Sequence, residues 1–158
     1  MPKLNNIEGN ILLEINLLNN DFLDVDEERQ DSENWIPFEF VLNVPREKYV
    51  YTPDMGATFS VYEIKSLIEK FEQIAENKLS KKSFEKFEFS SSESYFDIIV
   101  DDPLEDGEIY MEIWLNIGTI TDGELSGYDK GFRFVVKLDT FIEFTSELKR
   151  QYKRMMEL

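Results

Sequence analysis

The stretch GEIYMEIWLNI, residues 107–117, alternates between aliphatic side chains and a second set that is acidic, aromatic or amide. The second set includes Glu108, Tyr110, Glu112 and Trp114. A period of two is typical of a half-buried strand in an antiparallel sheet, which packs one face on the core and leaves the other wet. This stretch therefore predicts an antiparallel sheet with two large aromatic rings and two carboxylates on its solvent face.

Strand-sized segments with a similar pattern flank this stretch on both sides. Pro37 lies in one of them and cannot donate a hydrogen bond to a neighbouring strand, so that strand is expected at a sheet edge or to begin after Pro37. Residues 91–93 are expected to form a turn between two of the strands. The predicted strands are 11–17, 34–43, 47–52, 83–90, 94–100, 107–117 and 131–138.

Two helices are predicted from capping residues and from apolar spacing. Ser60 and Glu63 form a capping box, and apolar residues follow at helical spacing over about 61–78. Thr140 and Glu143 are expected to cap a final helix over about 140–156. We therefore predict a single α+β domain over residues 1–158, with a two-layer arrangement. Its predominantly antiparallel β-sheet would have about six strands, with the two amphipathic helices packed on one face.

The composition excludes most kinds of enzyme. Of 158 residues, 42% are hydrophobic and 14% aromatic, which indicates a folded chain and not a disordered acidic one. The chain has no His and no Cys, so it cannot by itself build a Ser-His-Asp triad, a thiolate zinc site or a 2-His-1-carboxylate iron site. We predict that the protein is not an enzyme and that it has no catalytic residues and no cofactor.

No metal site is predicted either. Residues 24–28 resemble the start of an EF-hand calcium loop, but Arg29 stands at the sixth position, where Gly is required. Trp35 stands at the twelfth position, where the bidentate Glu is required, and flanking helices are absent from the pattern. A solvated acidic loop is the better interpretation of this segment.

The net charge of −16 is concentrated in two segments. Residues 21–33 carry seven acids against Arg29, and residues 83–118 carry ten acids against Lys86. The rest of the chain is nearly neutral. With a pI near 4.3, the protein is a poor candidate for binding nucleic acid or an anionic membrane. The acidic excess instead predicts a basic protein partner.

No signal peptide is expected at the N-terminus, because a basic segment followed by an apolar run is missing there. No stretch approaches the 18 apolar residues that a membrane span requires.

The candidate partner-binding residues combine the acidic segments with the aromatic residues beside them. Tyr and Trp are favoured anchors at interfaces, and carboxylates select a basic partner. Two interpretations without a binding function remain open for the face around Trp114. It would be either an ordinary sheet surface with aromatic cross-strand pairs or a face covered by a helix. Adjacent acidic segments would favour a docking site, whereas segments at opposite ends would favour solvated loops. The predicted residues are Asp24, Asp26, Glu27, Glu28, Asp31, Trp35, Asp101, Asp102, Glu105, Asp106, Glu108, Tyr110, Glu112 and Trp114.

Several short motifs over residues 10–156 resemble one known family. Residues 31–36 (DSENWI) match an Asp-x-x-Asn-Trp-Leu start of an early strand, although Pro37 departs from the usual pattern that follows. The capped helix at 60–78, the segment FEF at 87–89, and the strand GFRF at 131–134 with a helix after Asp139 continue the likeness. The sequence thus resembles the WapI-like immunity proteins, which neutralise wall-associated, contact-dependent toxins of Gram-positive bacteria. The resemblance implies a small cytoplasmic protein that binds and blocks a toxin domain, commonly a nuclease.

Three functions follow from the sequence. The leading hypothesis is an immunity protein that neutralises a basic, nuclease-type toxin domain through an acidic and aromatic surface. The second is a non-catalytic acidic binding or scaffold domain whose charge serves only solubility. The third is a carboxylate-dependent hydrolase, which would require two converging acids in a concave site and a perturbed carboxyl pKa.

Overall fold

The computed structural model describes residues 1–91, 95–104 and 107–157, whose strands form two antiparallel sheets. The turn predicted at 91–93 lies mostly outside these residues. In chain order the elements are β1 (Lys3–Asn5), β2 (Leu12–Leu17), β3 (Trp35–Val44), β4 (Glu47–Tyr51), β5 (Thr58–Ser60), α1 (Val61–Leu79), β6 (Phe87–Ser90), β7 (Phe96–Asp101), β8 (Glu108–Asn116), α2 (Ile117–Ile120), β9 (Asp129–Lys137) and α3 (Leu138–Met156).

The first sheet has the order β1-β2-β3-β4, and β5 pairs with the start of β3. β3 is therefore central and already includes Pro37. The expectation that Pro37 lies in an edge strand, or that the strand begins after Pro37, was wrong. The pairing with β2 ends where Leu17 lies opposite Phe38. The Phe38 N–H bonds the Ala57 carbonyl on the β5 side. Because backbone groups alternate sides along a strand, the missing N–H of Pro37 faces the side where β2 has ended.

The second sheet is a meander with the order β6-β7-β8-β9. Its register places Trp114 of β8 between Asp97 of β7 and Gly131 of β9, and it places Glu112 opposite Arg133. The aliphatic side chains of β8 are fully buried, as the alternation predicts. The other face of β8 is the outer face of this sheet.

The α+β class and the antiparallel pairing agree with the sequence prediction, but a single sheet of about six strands does not form. The described strands make one sheet of five and one of four. The chain leaves the first sheet at Ser60, where β5 runs directly into α1. The described strands that follow α1 pair only with one another.

Aromatic rings join the two sheets in one core. Phe96 of β7 contacts Phe38, Phe40 and Phe59 of the first sheet, with ring centroids 4.6–6.1 Å apart. The two long helices pack on each other, and α3 also contacts strands of both sheets, β1 and β2 on one side and β8 and β9 on the other. Edge-to-face and offset ring contacts of this kind add to the free energy gained by burial alone.

The start of α1 is the capping box that the sequence predicts. The Ser60 hydroxyl accepts the Glu63 N–H (3.2 Å), and the Glu63 carboxylate accepts the Ser60 N–H (2.8 Å). These two bonds satisfy backbone groups that no helical partner can reach. The strand-to-helix junction is therefore fixed by local chemistry.

Replacing Ser60 with Ala should lower the free energy of unfolding by about 1 kcal/mol, because the Glu63 N–H loses its acceptor. Urea unfolding followed by circular dichroism measures the change. Ser66→Ala, in the middle of the same helix, is the matched control and should change stability by less than about 0.5 kcal/mol. Equal effects of the two variants would contradict the capping role.

The final helix begins at Leu138 rather than near residue 140, so the prediction that Thr140 and Glu143 cap it was wrong. Lys137 occupies the N-cap position and makes no side-chain capping bond. The start is fixed instead by the end of β9, where the Leu138 N–H bonds the Gly107 carbonyl (2.9 Å). Three short elements, β1, β5 and α2, have no counterpart in the predicted set.

Candidate interaction surface

The outer face of the second sheet carries the aromatic and acidic residues of β8. Glu112 lies near its centre and is only 8% exposed. Its carboxylate accepts hydrogen bonds from the Trp114 indole N–H (3.1 Å) and the Arg133 Nε (3.3 Å). Tyr110 lies two residues before Glu112 on the same face of β8 and also stabilises its carboxylate. One carboxylate thus holds the Trp114 indole and pairs with the Arg133 cation on this face.

This arrangement lowers the pKa of Glu112. Burial alone would raise that pKa, but the hydrogen bonds from Trp114 and Tyr110 and the charge of Arg133 stabilise the carboxylate more strongly. The pKa of Tyr110 is raised, first by burial and then by its hydrogen bond to Glu112. Both residues therefore hold the protonation states that the hydrogen bond requires at neutral pH.

The lowered pKa of Glu112 predicts a pH dependence of stability. Because the pKa is lower in the folded than in the unfolded chain, Glu112 stabilises the fold above its ordinary value of 4.5. That stabilisation is lost as the pH falls through the folded value. In Glu112→Gln, the free energy of unfolding should fall less steeply below about pH 5 than in the wild type. Urea titrations at several pH values measure this slope. The control Glu124→Gln, in an exposed turn, should keep the wild-type slope, and an unchanged slope in Glu112→Gln would contradict the assignment.

Trp114 is also held from the side of β9. A Cβ at position 131 would lie 2.5 Å from the indole Cδ2 and Cζ3 atoms, so only Gly131 allows the ring to lie where it does. The indole therefore packs against the backbone of the neighbouring strand and donates its N–H to the Glu112 carboxylate. Beside it, a pocket of about 330 Å³ opens at this end of the sheet.

The predicted residues of the first acidic segment surround the start of β3. Asp24 and Trp35 exchange two backbone hydrogen bonds (3.0 and 2.9 Å), which tie the loop to the strand. Arg29 pairs with Asp24 at 2.6 Å, and this bond lowers the pKa of Asp24. Asp31 forms an ion pair with Lys65 in the first half of α1, at 3.6 Å. Asp26, Glu27 and Glu28 are exposed on the loop.

Asp102, from the second acidic segment, is directed into the protein. Its carboxylate lies 2.7 Å from the Lys78 Nζ, and the two side chains are 10% and 4% exposed. Asp102 therefore has a structural partner at the last turn of α1. Asp101 ends β7 opposite Tyr110 and remains on the outer face. Glu105 and Asp106, also predicted as site residues, lie outside the described residues.

The two acidic segments are attached near opposite ends of α1. Asp31 pairs with Lys65 and Asp102 pairs with Lys78. Lys78 comes 13 positions after Lys65 in the helix, which corresponds to roughly 20 Å along the helix axis. The two acidic segments therefore do not form one joint docking site, and by the criterion stated above this separation favours a solvated loop for residues 21–33. The structure groups the predicted residues into two sets. Asp101, Glu108, Tyr110, Glu112 and Trp114 share the outer face, which we call the sheet-2 face, whereas Asp24, Asp26, Glu27, Glu28, Asp31 and Trp35 belong to the loop region.

Other features bear on the remaining hypotheses. The described residues contain no group of three or more acids placed to hold a metal ion. None of the described helices is long and apolar enough to cross a membrane. Among the described residues, the carboxylates with a resolved shift are Asp24, Glu47 and Glu112, and their pKa values are lowered, whereas a carboxylic general acid requires a raised one.

The outer face of the second sheet also includes four residues that the sequence did not point to: Asp97, Asp129, Gly131 and Arg133. Asp97 alternates with buried Phe96 and Ile98, which places it on the outer face of β7. That alternation could have identified Asp97. Nothing in the sequence aligns Gly131 with Trp114, because the register between β8 and β9 determines that contact.

The family model described as "Immunity protein WapI-like family" matches residues 3–156, nearly the whole chain. No curated protein matches the sequence.

Proposed function

Because this chain belongs to the WapI-like immunity protein family, we propose that it binds a basic bacterial toxin domain, of the nuclease type, and neutralises it in the cytoplasm. We further propose that the sheet-2 face is the docking surface. The single observation that carries this second step is the fixed cluster of Tyr110, Glu112, Trp114 and Arg133 on the face of the sheet that does not pack on the core.

The charge of the sheet-2 face supports a basic partner. Asp97, Asp101 and Glu108 add carboxylates around the aromatic cluster, and the described residues give none of the three an ion pair. A nuclease domain is basic where it grips phosphate. An acidic face laid over that site would compete with nucleic acid for the same cations.

The aromatic side chains support tight binding once contact is made. Interface residues that dominate binding are enriched in Trp, Tyr and Arg, and they lie near the centre of the buried area. Trp114 already holds a fixed position in the free protein, and Tyr110 lies on the same face. Little side-chain entropy would then be lost on docking, which favours affinity.

The loop region would contribute to the rate of association with the toxin domain. Its exposed acids lie at the other end of α1 from Asp102, and they extend the negative field around the protein. Long-range attraction of this kind raises association rates, toward 10⁸–10⁹ M⁻¹s⁻¹ at low salt. Fast association suits an inhibitor that must act before the toxin does.

Co-expression tests the proposed function. A candidate toxin domain, taken from a gene next to the one that encodes this protein, is expressed in a heterologous host with and without the protein. We expect survival only when the protein is present and a stoichiometric complex in the lysate. Survival no better than without the protein would contradict the proposal. A catalytically inactive toxin domain is the control for expression burden.

A further inference from the structure

The pocket beside Trp114 has the chemistry of a binding site for an arginine side chain. We infer that it receives one arginine of the toxin partner as an anchor. This inference rests on the proposed function and adds the identity of the contacted residue. The pocket measures about 330 Å³, and it is lined by Ser90, Phe96, Asp97, Trp114, Asn116 and Asp129.

One wall of the pocket is an aromatic ring held in place before any ligand arrives. Gly131 supports the six-membered part of the Trp114 indole, and Glu112 accepts its N–H at 3.1 Å. The ring remains partly exposed. A fixed, partly exposed indole is the preferred surface for a cation, and a guanidinium stacks on it through its planar face.

Two carboxylates at the same pocket lack a cation. Asp97 lies opposite Trp114 in the register, and Asp129 lies opposite Asn116. Neither forms an ion pair with any described residue. The pocket therefore holds two negative charges that a bound cation would neutralise.

The neighbouring cations of β9 are already committed elsewhere. Arg133 binds Glu112 at 3.3 Å, and Lys130 binds Glu47 of β4 at 2.7 Å while lying over the Tyr49 ring. Arg133 and Lys130 therefore form their ion pairs with residues other than Asp97 and Asp129. Since no described cation forms an ion pair with either pocket carboxylate, a basic partner is the source of positive charge that we propose for the pocket.

Arginine fits this combination better than lysine. Its guanidinium can stack on the indole and donate two parallel hydrogen bonds to a carboxylate, whereas an ammonium acts as a point charge.

Nuclear magnetic resonance with small probes tests the pocket without the toxin. The chain has two tryptophans, so the Trp35 indole N–H is an internal control for the Trp114 indole N–H. We expect N-acetyl-arginine amide to shift the Trp114 signal with a dissociation constant of order millimolar, which is typical of a single weak contact. N-acetyl-lysine amide should bind several-fold more weakly. The neutral isostere N-acetyl-citrulline amide should cause no saturable shift.

The double variant Asp97→Asn/Asp129→Asn should lose the arginine-dependent shift while keeping the wild-type fold by circular dichroism. A shift that citrulline reproduces, or that the double variant retains, would overturn the inference, as would no shift with arginine. Co-expression distinguishes this failure from failure of the proposed function. If the wild type protects cells while the probe leaves Trp114 unchanged, only the arginine pocket is wrong.

Discussion

Reversing three charges on the sheet-2 face, in Asp97→Lys/Asp101→Lys/Glu108→Lys, is expected to weaken binding of the toxin domain by roughly 100-fold at moderate salt. The three carboxylates surround the fixed Trp114 and Tyr110 cluster. Each new lysine would face the basic surface of the toxin and repel it, so complex lifetime and association rate should both fall. Surface plasmon resonance at several salt concentrations measures the two rates separately.

A matched triple variant in the loop region separates docking from general attraction. Asp21→Lys/Glu27→Lys/Glu28→Lys changes the net charge by the same amount and alters three exposed residues. We expect slower association at low salt, a smaller salt dependence, and a dissociation rate within about threefold of the wild type. A loop variant that binds as poorly as the sheet-2 variant, or more poorly, would contradict docking through the sheet-2 face.

The variant Lys78→Met should lower the free energy of unfolding by about 3–5 kcal/mol. Lys78 and Asp102 are nearly inaccessible to water, with side chains 4% and 10% exposed and a separation of 2.7 Å. Removing the ammonium leaves the Asp102 carboxylate buried without its counter-ion, which costs far more than the loss of an exposed salt bridge. Guanidinium unfolding monitored by tryptophan fluorescence gives the change.

The double variant Lys78→Met/Asp102→Leu is the control for this ion pair. Because both charges are removed, the free energy of unfolding of the double variant should exceed that of Lys78→Met by at least about 2 kcal/mol. The exposed pair Lys86–Glu88 provides a second comparison, and Lys86→Met should cost less than about 1 kcal/mol. If Lys78→Met costs no more than Lys86→Met, Asp102 has no structural role and belongs with the exposed acids of its segment.

The local features of the fold were accessible from the sequence. Alternation identified the buried side of β8, and the Ser60–Glu63 spacing identified the start of α1, because both patterns arise from backbone geometry over a few residues. The short motifs between residues 10 and 156 identified the family, and the family match confirms it.

Features that depend on distant pairing were not accessible. The division into two sheets follows from which strands meet after α1, and no single strand carries that information. Pro37 was assigned to an edge because a sequence does not show that β2 ends beside it. Thr140 matched a capping pattern, but the bond from Leu138 to Gly107 starts α3 two residues earlier.

The acidic segment 83–118 shows the same limit at the candidate site. A count of charges along the sequence does not distinguish Asp102, Glu108 and Glu112 from one another. The structure gives Asp102 a buried lysine and gives Glu112 a positioning role between Trp114 and Arg133. Burial and strand register separate these roles, and neither is visible in a charge count.

Hydroxyl-radical footprinting of the protein, free and in complex with its toxin domain, tests the docking surface most directly. Oxidation of Trp114 and Tyr110 on the sheet-2 face should fall several-fold in the complex. Oxidation of Tyr62, which is 62% exposed near the start of α1, should not change. Protection of Tyr62 with unchanged oxidation of Trp114 and Tyr110 would contradict the sheet-2 face as the surface that binds the toxin.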